Sequence, residues 1–311
     1  MGINKVLLLG GSGFVGTYIA NRLAQRGIKL TIPTRRRERT KALIMQPGVE
    51  MPEVNINCQE ALTELVRGHD VVINLVGVLH SSDVQLPYSR DFAQAHVELP
   101  KKIIAACKAA GVRRLVHMSA LNADSKGTSE YLRSKGDGEA LVMAAQGELD
   151  VTVFRPSVIF GLGDSFLSTF ASVLKKLPIF PLGYGHARFQ PVWVADVADA
   201  FVASLDNVST YGQAYDLVGP NTYTLRELVD YTAKLCNSNA RVLALSEGWA
   251  YLQAGLMWLA PKPVLSPDNL RSMEIDSVAG SNAHLPAGWK PTALEAIAPS
   301  YIALNTPKGK L

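Results

Sequence analysis

Residues 7–16 read Leu-Leu-Leu-Gly-Gly-Ser-Gly-Phe-Val-Gly, and no other stretch restricts the fold of this chain so strongly. An apolar strand pattern, Lys5–Leu9, runs directly into glycines and then into an amphipathic helical pattern over 14–26. Gly10, Gly13 and Gly16 recur every third residue, and Gly11, Gly13 and Gly16 also satisfy G-x-G-x-x-G. At a strand-to-helix junction such glycines allow a tight turn, a close backbone approach to a pyrophosphate, and close packing of helix on strand. The helix start adds unpaired N–H groups and the positive end of the helix dipole. With a strand before it and a helix after it, the loop has the context that a dinucleotide site requires.

The alternation continues. Strand patterns at 5–9, 29–32, 71–75, 115–118 and 151–154 are separated by helical patterns at 14–26, 59–67, 92–110 and 131–145. Strands separated by helices form βαβ units, which predicts an α/β chain of Rossmann type, a doubly wound parallel sheet with helices on both faces. Beyond 154 prolines become frequent; 161–185 reads as loop and helix, 194–204 as a helix, and Thr224-Leu-Arg-Glu227 as a capping box opening a helix to about Cys236. The expected organisation is a dinucleotide-binding domain over 1–160 and a smaller C-terminal substrate region over 161–311, partly interleaved with the first.

The second strand pattern, Leu30-Thr-Ile-Pro-Thr34, leads into Arg35-Arg-Arg-Glu-Arg39. A site for NAD normally ends this strand with an acid that holds the ribose hydroxyls. Arg35 and Arg36 occupy that zone instead, and guanidinium groups suit a 2′-phosphate. NADP(H) is therefore favoured over NAD(H).

Composition excludes several classes. With 311 residues, 48% hydrophobic and 19% charged, the chain suits a globular protein with a sizeable core. A net charge of +4 is too small to point to nucleic acid. Cys58, Cys107 and Cys236 are scattered without a Cys-x-x-Cys, as expected of free thiols in a reducing compartment, and the six histidines show no metal-ligand spacing. A strand pattern that begins by Ile3 predicts no signal or transit peptide, and no apolar run reaches the ~18 residues of a membrane span. The expectation is a cytoplasmic chain, with peripheral membrane association as the variant of it. The run 249–260, followed by Pro261-Lys-Pro263, reads either as a core helix or as a segment dipping into an interface.

Tyr131 and Lys135 are four residues apart in a helical pattern, so their side chains share a face. Alone, Tyr-x-x-x-Lys is a pattern common by chance, and the pair reads first as the exposed first turn of a helix and only then as a proton-transfer site. Gly10-x-x-Gly13-x-x-Gly16, Asn74-Leu-Val-Gly77, Tyr131-x-x-x-Lys135 and Arg155-Pro-Ser-Val-Ile-Phe-Gly161 come in an order that resembles extended short-chain dehydrogenases/reductases. Val72-Ile-Asn-Leu-Val-Gly77, Gly111-Val-Arg-Arg-Leu-Val-His-Met-Ser-Ala-Leu121, Phe189-Gln-Pro-Val-Trp-Val-Ala-Asp-Val-Ala198 and Leu265-Ser-Pro-Asp-Asn-Leu270 further resemble an atypical branch, related to the alpha-subcomplex subunit 9 of respiratory complex I.

The resemblance implies roles. Gly10, Ser12, Gly13, Phe14 and Val15 would lie along the pyrophosphate, with Gly16 closing the loop and Arg35 and Arg36 at the adenosine ribose. Asn57 and Cys58 would end the third strand near adenine. Leu75, Val76 and Gly77 would line the cofactor ribose, Tyr131 and Lys135 would meet the nicotinamide ribose, and Pro156, Ser157 and Val158 would pass the nicotinamide amide. Tyr131 would be the catalytic proton donor, Lys135 would lower its pKa, and Ser119 would be the remaining catalytic hydroxyl. The sequence departs from the family pattern at two points: Ser119 matches the first, structural serine, so the usual catalytic hydroxyl falls on Ala120 or Leu121, and the asparagine of the preceding helix is His96. Three classes follow: an NADPH-dependent oxidoreductase or epimerase, an NADPH-holding sensor or assembly subunit, and a membrane-peripheral partner of respiratory or quinone-synthesising complexes. The substrate is a small molecule of unstated class, and oligomeric state is open.

Overall fold

β1 (Lys5–Leu9) is apolar because both of its faces are covered: Val6, Leu7, Leu8 and Leu9 are wholly buried. Such continuous apolar runs belong to strands sandwiched between helical layers. In this computed structural model, which describes residues 2–35, 43, 45–81, 83, 85–258 and 265–303, β1 lies inside a seven-stranded sheet. Its other strands are β2 (Lys29–Thr31), β3 (Val49–Glu50), β4 (Val71–Asn74), β5 (Arg114–Met118), β6 (Asp150–Pro156) and β11 (Gln213–Leu217), in the order β11-β6-β5-β4-β1-β2-β3. Neighbours from β3 to β6 pair in parallel. Strand order reverses between β1 and β4, and a crevice at the carboxyl ends of these two strands is where doubly wound sheets bind ligands.

The helices of this part are α1 (Phe14–Gln25), α2 (Gln59–Val66), α3 (Leu99–Ala110) and α4 (Glu130–Ala144). The pattern over 92–110 is not one regular helix. It begins with an α turn at Arg90–Phe92, widens to a π turn over Ala93–Glu98, and only then becomes α3. Pro100 accounts for the widening. It has no N–H to give to the carbonyl four residues back, that of His96, and its ring crowds that oxygen. The expectation for Asn57 and Cys58 is corrected: β3 ends at Glu50, and both residues lie in the turn that enters α2. The side chain of Asn55 accepts the Asn57 N–H at 3.1 Å, an Asx turn that ends extended structure there.

The chain divides into two compact units. The first comprises Met1–Arg155, Ala195–Asp216 and His284–Pro286; the second comprises Pro156–Val194, Leu217–Ala283 and Ala287–Leu311. The second unit contains β8 (Ile179–Leu182) paired in parallel with β13 (Arg241–Ala244), and two further ribbons, β7 (Ile159–Phe160) with β10 (Val192–Trp193) and β9 (Arg188–Phe189) with β12 (Tyr223–Thr224). Its helices are α5 (Leu167–Leu174), α7 (Leu225–Leu235), α8 (Glu247–Trp258), α9 (Pro267–Ser272) and α10 (Leu294–Ile302), while α6 (Val194–Ser204) leads back into the first unit. Phe160, Leu167, Phe180, Leu228 and Leu294 belong to one apolar cluster. The capping box forms as read: Thr224 accepts the Glu227 N–H, and the Glu227 carboxylate accepts the Thr224 N–H. Among the described residues no helix is long and apolar enough to cross a membrane, and no cluster of three or more His, Cys, Asp or Glu side chains is placed to hold a metal.

Candidate active site

The glycine loop is built by close approach. Gly10 has φ +79°, a left-handed conformation, and a Cβ on it would lie 3.1 Å from the backbone of both Leu75 and Val76. The end of β1 thus presses against the end of β4. A Cβ on Gly16 would lie 2.5 Å from the Gly10 carbonyl oxygen, so the first turn of α1 closes on the loop. Gly13 caps α1 with no side-chain hydrogen bond, and the first turn carries no acid. Its N–H groups and dipole are therefore left to an incoming anion. Ser12 and Gly13 are exposed, while Val15 is buried and contributes to the core. Arg35 is exposed one residue past the Thr34–Glu53 bridge, where β2 gives out; Arg36 lies outside the described residues. Asn57 and Cys58 are engaged locally: the Lys102 ammonium donates to the Asn57 carbonyl at 2.6 Å, and the Cys58 thiol donates to Glu60 at 3.1 Å.

Tyr131 and Lys135 stand on the first turns of α4, which Ser129 caps by accepting the Leu132 N–H. Lys135 is almost wholly buried, and its ammonium donates to the Met118 carbonyl at the end of β5, 3.1 Å away. Burial pushes its pKa down to about 8, against an opposing pull from the Glu139 carboxylate. The Tyr131 ring packs edge-on against Phe92 and His96, with centroids at 6.2 and 5.6 Å. Here the expectation is reversed. Burial pushes the Tyr131 phenol up to about 12, so it stays protonated throughout the physiological range.

Two buried histidines complete this centre. The Val78 N–H donates to His96 Nε2 at 3.1 Å, and His96 Nδ1 lies 2.8 Å from Ser134 Oγ, which donates in turn to the Tyr131 carbonyl at 2.9 Å. Because Nε2 accepts, Nδ1 carries the proton and the imidazole is neutral. Burial, with the Lys135 charge next, holds its pKa well below the usual histidine value. Asn74, paired in register with His117 across β4 and β5, accepts the Val76 N–H at 3.1 Å and donates to His117 Nδ1 at 3.1 Å. His117 is likewise neutral, pushed down to about 3 by burial and then by Lys135. Together these bonds fix the backbone at 76–78. A Cβ on Gly77 would sit 3.4 Å from both Lys135 Nζ and His96 Nε2.

α4 is clamped along its length. A Cβ on Gly136 would overlap the backbone at Asp124 and Ser125, and one on Gly138 would overlap the His96 carbonyl. Glu130 accepts the Ser89 N–H at 2.8 Å, Arg133 donates to the Pro87 carbonyl at 2.9 Å, and the Tyr88 phenol donates to Asp137 at 2.9 Å. Arg155, on β6, pairs with Glu139 of the same helix and lies 3.8 Å from Asp216. Ser119 is buried, its N–H donates to the Phe154 carbonyl, and its Oγ has no hydrogen-bond partner. Ala120 and Leu121, also buried, offer no hydroxyl.

Pro156, Ser157 and Val158 belong to the second unit. There the Ser157 hydroxyl donates to the Ser277 carbonyl at 2.8 Å, and the Val158 carbonyl accepts the Val192 N–H at 3.0 Å.

Within the first unit, Gly10–Gly16, Leu75–Gly77, Tyr131 and Lys135 therefore form one continuous surface, which Asn57 and Cys58 do not join by any hydrogen bond described. Asn74, His96, His117 and Ser134 complete it and were not singled out as site residues. Their signal was polarity out of place: Asn74 closes the apolar strand β4, His117 follows Leu115 and Val116 inside β5, and His96 precedes Pro100 by one turn. The donor set suits a nicotinamide dinucleotide. There is an uncapped helix start for a pyrophosphate, a bare glycine beside an ammonium for a ribose, and an orphaned buried hydroxyl at Ser119.

A sequence model of the NAD dependent epimerase/dehydratase family matches residues 6–217. The chain is 34% identical over 230 residues to the mouse (Mus musculus) mitochondrial NADH dehydrogenase [ubiquinone] 1 alpha subcomplex subunit 9, covering 72% of this chain and 59% of the mouse protein. It is 31% identical over 300 residues to the rat (Rattus norvegicus) subunit of that name, covering 93% and 77%. In three dimensions it is similar to dTDP-glucose 4,6-dehydratase DesIV from Streptomyces venezuelae, solved with NAD and TYD bound, at TM-score 0.73 and 17% identity over 96% of this chain and 95% of that one. That last likeness speaks to the fold alone.

Proposed function

The chain belongs to the NAD dependent epimerase/dehydratase family, and we propose that it is an NADPH-dependent oxidoreductase or epimerase in which Tyr131 is the proton donor. The observation that carries this reading is the convergence of Lys135 Nζ and His96 Nε2 on the bare backbone of Gly77, one residue beyond the Leu75–Val76 backbone against which the glycine loop packs. Bound there, the cofactor supplies hydride chemistry. Lys135 would donate to the ribose hydroxyls, and the N–H groups at the start of α1 would hold the pyrophosphate. A phenol that keeps its proton to about pH 12 suits donation to a carbonyl oxygen as that carbon accepts hydride, and such general acid assistance contributes roughly 10²–10⁴-fold. NADPH rather than NADH is supported by Arg35 and Arg36 where an acid would suit NAD.

A second reading has its own support. Ala120 and Leu121 stand where a catalytic hydroxyl is expected, and the mouse and rat relatives are named as subunits of a respiratory NADH dehydrogenase. On that reading the protein holds NADPH without turnover, as a sensor or assembly subunit associated with a respiratory or quinone-synthesising complex and peripheral to the membrane.

Fluorescence titration of the protein with NADPH and NADH tests the cofactor assignment. NADPH should bind more tightly, and Arg35→Ala with Arg36→Ala should remove most of the preference. Equal affinities in the unmodified protein would sink it.

A further inference from the structure

α8 is built inside out. A surface helix normally turns its large apolar residues to the core and its polar ones to water. Here the inward residues are the smallest available, Ala250 and Ala254, both wholly buried. Trp249, Leu252 and Leu256 are 65%, 52% and 64% exposed. At 100° per residue these three fall within an arc of about 60°, on the side away from the two alanines. Close seating explains the choice of alanine: a Cβ on Gly183 would overlap that of Ala250, and Gln253 donates to the Pro181 carbonyl at 3.4 Å.

The neighbouring ribbon continues the surface. In the β8–β13 register Ile179 pairs with Arg241 and Pro181 with Leu243, so Ile179, Arg241 and Leu243 share the outer face while Phe180 and Leu182 point into the core. Ile179, Arg241 and Leu243 are exposed, as are Lys175, Lys176 and Leu177 just before the ribbon. Across 175–182 and 241–258 the charged residues are Lys175, Lys176 and Arg241 against a single acid, Glu247. Glu247 stands at the first residue of α8, where the Tyr184 phenol donates to it at 3.4 Å.

We propose that this face of the second unit docks on an anionic phospholipid bilayer, with Trp249, Leu252, Leu256 and Leu243 entering the interface and Lys175, Lys176 and Arg241 meeting the headgroups. Charge complementarity selects lipid over a protein groove. Lys175 and Lys176 directly precede the exposed Leu177, Arg241 stands two residues before the exposed Leu243, and the acids at α8 are both engaged by phenols, Glu247 by Tyr184 and Glu274 by Tyr251. Tryptophan is favoured at headgroup depth, and basic residues beside exposed apolar side chains are what an interfacial helix carries. This deepens the peripheral association within the second reading above, but it rests on the second unit's own surface and not on dinucleotide binding.

Flotation of the full chain with vesicles tests it. The protein should float with vesicles of equal parts phosphatidylcholine and phosphatidylglycerol, and weakly or not at all with phosphatidylcholine alone. Leu252→Glu with Leu256→Glu, both at exposed positions, should abolish flotation while leaving the thermal transition in place. Lys175→Gln with Lys176→Gln should lower the partition coefficient roughly thirtyfold, from about 1 kcal/mol per basic residue. Failure to float with either vesicle, or undiminished flotation of the leucine variant, would overturn the proposal. So would a dimer in solution that the leucine variant dissociates while neither protein floats, because the face would then be covered by a second copy. Dinucleotide titration of the same samples keeps the two claims apart, since either can fail with the other intact.

Discussion

The carbonyl oxygen of His96 occupies the space where a side chain on residue 138 would begin, so Gly138 lets α4 lie directly on the π turn. The ring of the same histidine reaches Ser134 one turn earlier on that helix and accepts the Val78 N–H. Pro100 releases the carbonyl and the π turn aims it. One residue thereby sets the distance between the Tyr131–Lys135 helix and the loop at 76–78.

Gly138→Ala should force that contact apart. Overpacking a tight core costs about 1–3 kcal/mol, and the backbone on the other side has little room to give. Urea denaturation should show a loss of this size together with weakened NADPH binding. Gly255→Ala is the control, because a Cβ there meets nothing within 4 Å. In the helix interior it should be neutral or stabilise by up to about 1 kcal/mol.

His96→Ala should leave the Val78 amide without its partner and remove the bond that Ser134 Oγ accepts, while Ser134 still donates to the Tyr131 carbonyl. An unsatisfied buried group costs about 1–3 kcal/mol. Hydrogen exchange should show the Val78 amide losing protection before the β4 amides do. Unchanged protection at Val78 would mean that the histidine is not what holds the loop.

Lys135 gives stability a pH dependence of definite sign. Its folded pKa, about 8, lies below the ordinary lysine value of 10.5. Between those values the unfolded chain binds more protons, so stability rises with pH there. The Tyr131 phenol, raised from 10.0 to about 12, opposes this above pH 10. The buried Cys107 thiol, raised from 9.0 to about 12, opposes it from about pH 9, so the clean window is about pH 8–9. Denaturation across it should show the wild type gaining on Lys135→Met as pH increases. A constant difference between the two would show that Lys135 keeps its charge.

Much of this was legible in the sequence, because alternation of strand and helix and a glycine-rich first turn are local signals. β1 has the predicted bounds, and α1 and α2 each end one residue earlier than expected. The third strand left no pattern because β3 is only Val49–Glu50, too short for an alternation to register, and the resemblance alone put its end at Asn57–Cys58. The Tyr131 pKa was misjudged because a one-turn spacing to an ammonium is visible in sequence while burial is not. Pro100 was the overlooked signal: a proline inside an otherwise helical run marks a distortion, and here it marks the residue that joins loop to helix.

The central claim is that Tyr131 gives its proton during hydride transfer in an NADPH site. The most direct test is a paired measurement on wild type and Tyr131→Phe: NADPH affinity by fluorescence titration, and NADPH oxidation with a panel of aliphatic carbonyls, sugar nucleotides and quinones. The account predicts turnover by the wild type with at least one acceptor, and its loss in Tyr131→Phe with NADPH affinity nearly unchanged. Undiminished turnover in the variant, or tight NADPH binding by the wild type with no turnover on any acceptor, would contradict it.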